Sequence, residues 1–270
     1  MSSNPLSSNP LSNHDAQAGR IVALQGGQNF RDMGGYRTDD GRSVKWRTLY
    51  RSGSMHHLTP GDLDTLHRLG IQTIVDLRST NERDREPLGE KAGFTPSIFA
   101  EHYVFANSQL GQALPSSNMA ADQARTAFQR AYRFIPYQFA NQFRAMFAQM
   151  LEGKVPIIIN CSGGKDRTGV AAALVLTALG VPRAVVVEDY LLSKIHFRPR
   201  MAAESPVGAD RRWQGMAPEL MDVLRGVDES YLDAAFDAIE QQSGGLTGYL
   251  RTELGLAPSG VDQLRSLFLE

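Results

Sequence analysis

The chain has 270 residues, with 28 Lys and Arg against 29 Asp and Glu and a formal net charge of -1, a balance that argues against broad binding to nucleic acid or anionic membrane. Its single cysteine excludes an internal disulfide framework and a multi-cysteine metal site, and its six histidines show no metal-ligand spacing. No apolar run approaches the ~18 residues of a membrane span, and the amino terminus lacks a basic segment followed by an apolar core, so a cytoplasmic enzyme is expected, with unconventional export left open.

Residues 1–19 repeat Ser-Ser-Asn-Pro-Leu and offer little apolar surface to bury, which predicts a disordered tail ahead of a single domain over 20–270. Ile21 to Leu24 reads as a strand. Gln28-Asn-Phe-Arg-Asp-Met-Gly-Gly35 reads as a polar loop turned by its glycines. Val44 to Tyr50 alternates as a strand does and runs into Arg51-Ser52-Gly53.

Thr59 as N-cap, Pro60 at the first helical position and Asp62 in the first turn predict a helix with Leu63, Leu66 and Leu69 on one face and Gly70 as its stop. Ile71 to Leu77 follows as a strand, and this strand–helix–strand order predicts a sheet with helices packed on it. At the strand's end lies Asp76-Leu-Arg-Ser-Thr-Asn-Glu82. Catalytic groups of α/β folds collect at such ends, which makes Asp76 a candidate. Arg78 and Glu82, four apart, are a candidate helical ion pair; the alternative is a structural pair of Asp76 with Arg78.

Phe99 to Phe105 reads as a strand. Met119 to Phe134 carries Ala120, Ala124, Ala127, Phe128 and Ala131 at helical spacing. Pro136 interrupts, and Tyr137 to Leu151 resumes as a core helix. Beyond the central motif, Pro182 to Phe197 reads as helical, Met201 to Gly215 as a loop, Asp228 to Gln242 as a helix, and Leu246 to Leu254 with Gly260 to Leu269 as a closing helical pair.

One stretch organises the chain. Ile157 to Ile159 is a β-branched run, read as a buried strand, and Gly169 to Leu179 is an apolar helix stopped by Gly180 and Pro182. Between them run Cys161, Ser162, Gly163, Gly164, Lys165, Asp166, Arg167 and Thr168. A glycine loop between a strand and a helix N-terminus is an anion site. Its amides, with Lys165 and Arg167, are expected to draw the thiol pKa down from ~8.5 and make Cys161 a nucleophile. Arg167 can hold two phosphoryl oxygens through its planar fork. The predicted chemistry is phosphoryl transfer to Cys161 and hydrolysis of the phosphocysteine, with no metal or organic cofactor. A nucleotide-binding P-loop does not fit, because Lys165 is followed by Asp166 rather than Ser or Thr.

The pattern Cys-x5-Arg-Thr-Gly resembles the cysteine-dependent protein tyrosine phosphatases, and most closely the atypical bacterial group of the tyrosine phosphatase B type, with dual tyrosine and phosphoinositide activity. The Asn-Phe-Arg-Asp and Asp-Leu-Arg-Ser strings and the closing Gly-Gly-Leu-Thr-Gly-Tyr-Leu-Arg extend the resemblance from about Gln28 onward. One departure is Asn160, where that group commonly has His before the cysteine. The resemblance implies an α/β fold, a phosphatase-like central sheet flanked by helices, with a helical lid insertion. Ser108 to Phe134 is the lid candidate, a plain surface helix the alternative. It further implies that the Asn-Phe-Arg-Asp loop is structural and lies near the active site. Asp166 ranks first as general acid, although Arg167 beside it would favour ionisation; Asp76 ranks second. Ser162, Gly163, Gly164, Lys165 and Thr168 are expected to bind substrate, Lys165 from the pocket mouth and Thr168 by donating to the departing thiolate. Phosphotyrosine, phosphoserine, phosphothreonine and phosphoinositide monoesters are the candidate substrates. A non-catalytic phosphate-binding module is the alternative. A sulfur-transfer or redox enzyme is disfavoured, since no second cysteine exists to resolve an intermediate.

Overall fold

The computed structural model describes residues 19–88, 94–114, 119–197 and 217–270. The expected tail, apart from Gly19, and the expected loop Met201–Gly215 lie outside the described residues. Five strands form one sheet: β1 (Arg31–Asp32), β2 (Leu49–Ser52), β3 (Thr73–Asp76), β4 (Ser97–Ala100) and β5 (Ile157–Asn160), in the spatial order β1-β2-β5-β3-β4. Only β1 is antiparallel to its neighbour; β2, β5, β3 and β4 are parallel.

A central parallel strand is covered on both faces, which favours an unbroken β-branched run over alternation, and every residue of β5 is buried. Successive side chains still go to opposite faces. Ile157 and Ile159 join the larger apolar cluster, with the helices Ala140–Leu151 and Arg167–Leu179. Ile158 joins a smaller one with Phe30, Tyr50, Leu66 and Ile74. Helix Arg167–Leu179 is buried at every position except Thr177, so it has no polar face to reveal as periodicity. Gly180 ends it in the left-handed region, at φ 91°.

Register decides where the chemistry lies. Ser52 and Asp76 both lie opposite Asn160, so β2, β5 and β3 end level and their following loops converge. The helix Pro60–Arg68 starts as its sequence predicts, with Thr59 and Asp62 exchanging capping hydrogen bonds. Asp62 also accepts from the amides of Gln25 and Gly26, which pins the entry segment to it.

Several boundaries differ from expectation. Ile21 makes a single bridge to Arg31 instead of opening a strand, and Arg31–Asp32, expected as loop, is β1. The strand expected over Val44–Tyr50 forms only from Leu49, because Arg47 turns at φ 61° and gives its amide to Asp32. Helix Pro218–Arg225 had no counterpart in the sequence reading. Within the lid candidate Ser108–Phe134, helix Ala121–Tyr132 buries Ala124, Phe128, Ala131 and Tyr132 on one face, and Phe128 stacks on Tyr231 at 5.2 Å. No helix among the described residues is long and apolar enough to cross a membrane.

Candidate active site

The loop that leaves β5 is held from behind by its carbonyls. The Ser162 carbonyl accepts from the Ser54 amide at 2.8 Å and from Gln28 Nε2 at 3.2 Å. Asn29 Nδ2 donates to the carbonyls of Gly163 and Gly164, at 3.1 and 2.8 Å, and Arg51 Nη2 reaches the Gly164 carbonyl at 2.9 Å. In a trans peptide the N–H points opposite the C=O, so the amides of Gly163, Gly164 and Lys165 face the other way. Among the described residues, no protein acceptor meets any backbone N–H from Ser162 to Arg167. Helical bonding starts only with Val170, which donates to the Asp166 carbonyl. Gly164 is required twice over: its φ is 66°, and a Cβ there would come within 2.5 Å of the Ser52 and Gly53 backbone.

Beneath the loop sits a buried charge network. Arg31 Nε and Arg51 Nη1 bind the two oxygens of Asp189, at 3.2 and 2.5 Å, and Tyr36 donates to the same carboxylate at 3.0 Å. Burial alone would raise Asp189, but Arg31, Arg51 and Arg20 hold it well below the usual carboxylate range. Burial and the neighbouring Arg51 pull the Arg31 guanidinium down to about 10, against the opposing charge of Asp189. Two guanidiniums therefore share one carboxylate under the anion cradle. Arg31 also donates to Asn29 Oδ1, so the Asn-Phe-Arg-Asp string braces the loop. Asp32 accepts from the Gly34 and Arg47 amides, a turn-holding role.

Cys161 lies at the foot of the loop, 1 % exposed. Arg167 meets Glu82 through a double hydrogen bond, Nη1 to Oε2 at 2.8 Å and Nη2 to Oε1 at 2.7 Å. Nη1 also donates to the Leu77 carbonyl and the Tyr103 hydroxyl. Nε and the second proton of Nη2 have no acceptor among the described residues, and together they form a free edge of the fork. Glu82 is fixed in turn by the Ser79 amide and by Ser162 Oγ at 2.6 Å. Burial would raise its carboxyl, but Arg167, Ser162 and the Ser79 amide hold it far below the ordinary range. The Phe105 ring lies 5.1 Å from the Arg167 guanidinium, and Phe197 lies against Gly163. Thr168 Oγ1 is buried with no partner among the described residues.

The two candidate acids sit differently. Asp76 is enclosed: Arg78 grips both of its oxygens, and Asn160 Nδ2 donates at 3.2 Å. The expected Arg78–Glu82 pair does not form, because Arg78 is committed to Asp76 and Glu82 to Arg167. Asn160, in the position where the resembling group has His, hooks β5 to the Asp76–Arg78 pair. Asp166 is more open, its side chain 28 % exposed. Its Oδ1 accepts from Tyr132 at 2.7 Å and Lys165 Nζ at 2.8 Å. Lys165 does not stand at the pocket mouth as expected. It is 6 % exposed, because Asp166 and the Gly226 carbonyl give its ammonium two acceptors inside and Phe128 lies beneath it at 5.3 Å. No cluster of His, Cys, Asp or Glu side chains suited to a metal ion occurs among the described residues.

Sequence reasoning missed Glu82 as the partner of Arg167, and with it Asn29, Arg51, Asp189, Tyr132 and Tyr190 as supports. For Glu82 the signal was present. Ser79-x-x-Glu82 is a capping box, which ties the carboxylate to the helix start instead of releasing it toward position 78. For Arg51 it was a charge inside an otherwise buried strand. The two tyrosines carry no local signal.

Comparison with known proteins places this geometry in context. A family described as the tyrosine phosphatase family matches residues 22–270. The chain is 34% identical over 248 residues to a Cupriavidus necator protein named "Putative tyrosine-protein phosphatase", covering 89% of this chain and 85% of that one. It is 31% identical over 282 residues to the triple specificity protein phosphatase PtpB of Mycobacterium tuberculosis, covering 92% of this chain and 99% of that one. A tyrosine-protein phosphatase of Nostoc commune is 25% identical over 224 residues.

Proposed function

Given that the chain belongs to the tyrosine phosphatase family and is a protein-tyrosine phosphatase, we propose that it works through a phosphocysteine formed on Cys161. The observation that carries this reading is the loop itself. Its carbonyls are tied outward, and among the described residues its amides from Ser162 to Arg167 meet no protein acceptor and one edge of the Arg167 fork meets none. That arrangement is complementary to the equatorial oxygens of a phosphoryl group under attack.

In the first step the Cys161 thiolate attacks phosphorus, the bond to the leaving oxygen breaks, and that oxygen takes a proton from the Asp166 carboxyl. In the second, water attacks the phosphocysteine. Asp166, now a carboxylate, accepts the water proton, and the sulfur leaves as thiolate with phosphate released. The free Thr168 hydroxyl is suited to donate to that thiolate. Asp166 is preferred to Asp76 because both oxygens of Asp76 are already held by Arg78. Arg167, whose charge was expected to compete for Asp166, is instead matched by Glu82, and the cation that Asp166 meets is Lys165.

Phosphotyrosine is the primary substrate in this account, since a phenolate with pKa ~10 leaves readily. Phosphoserine, phosphothreonine and phosphoinositide monoesters follow, with alkoxide leaving groups that depend more on Asp166. We take residues 20–270 as one catalytic domain, supported by an apolar cluster running from Met33 to Leu269 and by Ser43 pairing with Glu270. A free thiol that must stay reduced suits the cytoplasm.

Cys161→Ser tests the reading. The variant is expected to lose turnover of p-nitrophenyl phosphate while still binding vanadate; retained turnover would refute thiolate catalysis. A panel of matched phosphopeptides and phosphoinositides ranks the substrates.

A further inference from the structure

We propose that Tyr132, supported by Tyr190, is a positioning residue for the general acid: with Lys165 it fills one oxygen of Asp166 and leaves the other to carry the catalytic proton. The inference rests on the assignment of Asp166 as acid made above.

The hydroxyl of Tyr132 lies 2.7 Å from Asp166 Oδ1 and 2.7 Å from the Tyr190 hydroxyl. A phenol has one proton to give. If Tyr132 donates to the carboxyl group, Tyr190 donates to Tyr132, and the chain runs from Tyr190 through Tyr132 to Asp166. Lys165 Nζ donates to the same Oδ1 at 2.8 Å. Both lone pairs of that oxygen are then taken. Oδ2 receives no hydrogen bond from any described residue. A proton on Oδ1 would displace a donor; a proton on Oδ2 displaces nothing. The acid therefore carries its proton on the oxygen that the protein leaves free.

The two tyrosines are built for this and for little else. Both are fully buried, and burial, followed by the charge of Asp166, keeps both hydroxyls protonated as donors. Their rings meet edge-on at 6.3 Å, and Tyr231 packs against Tyr132 at 5.5 Å. Tyr190 fits because position 169 is glycine; a Cβ there would come within 2.9 Å of its ring. Phenylalanines would fill the same space. Among the described residues the two hydroxyls bond only each other, and that of Tyr132 also Asp166, and a dry polar pair with one outlet serves that outlet.

Tyr132→Phe, Tyr190→Phe and Asp166→Asn, alone and with Tyr132→Phe combined with Asp166→Asn, are compared on aryl phosphates of increasing leaving-group pKa. Inorganic phosphate inhibition is measured alongside. For Tyr132→Phe, kcat/KM is expected to fall least with p-nitrophenyl phosphate and roughly tenfold with the poorest leaving group, a fraction of the ~10²–10⁴ that a positioned acid supplies. Phosphate inhibition should not change, and Tyr132→Phe should cost nothing further in the Asp166→Asn background. Tyr190→Phe should shift the same way by less, and it decides the matter if Tyr132→Phe does not fold. A loss in Tyr132→Phe that is equal across leaving groups, or no loss, while Asp166→Asn shows the trend, overturns the inference alone. Absence of the trend in Asp166→Asn removes the acid assignment itself, and the inference with it.

Discussion

Glu82 and Arg167 face each other end-on, carboxylate to guanidinium, with both contacts under 3 Å: 2.8 Å for Nη1 and 2.7 Å for Nη2. The pair holds the plane of the arginine and uses up its outer end. What remains is the edge formed by Nε and Nη2, the part that can grip two oxygens side by side.

Glu82→Gln separates holding the arginine from being the arginine. The variant keeps the shape but loses the charge, so Arg167 keeps only its Leu77 and Tyr103 anchors at full strength, and kcat/KM for p-nitrophenyl phosphate should fall on the order of 10²-fold. Its stability cost has a defined pH dependence. A glutamate held below its unfolded value of ~4.3 stabilises the fold above that pH and loses the contribution as pH falls through its lower folded value. Thermal melts of wild type and variant should therefore differ most near neutrality and converge in acid.

Arg167→Lys tests the fork directly. A lysine restores a charge but not two parallel donors in a plane. Steady-state kinetics should show kcat reduced by ~10²–10³, the usual scale for removing a transition-state donor. A rate within a few-fold of wild type would mean that a point charge suffices.

Gly164→Ala tests the cradle. With φ at 66° and neighbouring backbone 2.5 Å from the new Cβ, the loop must shift or strain, at a cost of at least ~2 kcal/mol. Urea midpoints should report that loss, and phosphate should bind more weakly because the amides no longer converge.

Asp189→Asn removes the only carboxylate bonded to Arg31 and Arg51 among the described residues. Leaving two buried guanidiniums without a counter-charge should destabilise the protein by about 3–5 kcal/mol, read from chemical denaturation.

Much of this was legible in the chain. The run Ile157 to Ile159, the glycines after Cys161 and the stop at Gly180 each obey a local rule, and the structure follows them. Three kinds of feature were not. The expected strand from Val44 failed at Arg47, whose positive φ is stabilised by Asp32 across a turn and not by its own side-chain type. Glu82 pairs with Arg78 by helical spacing alone, whereas its real partner, Arg167, opens the helix that follows β5. Tyr132 meets Asp166 and Tyr190 only because helices distant in sequence pack together, and no short-range pattern encodes that.

The proposed carrier of the phosphoryl group during turnover is Cys161. Acid quench of the enzyme during p-nitrophenyl phosphate hydrolysis, followed by mass spectrometry of the peptide containing Cys161, tests it most directly. The expected peptide is heavier by one phosphoryl group, labile to nucleophiles and missing from Cys161→Ser. Phosphoryl label on another residue, or sustained turnover by Cys161→Ser, would contradict it.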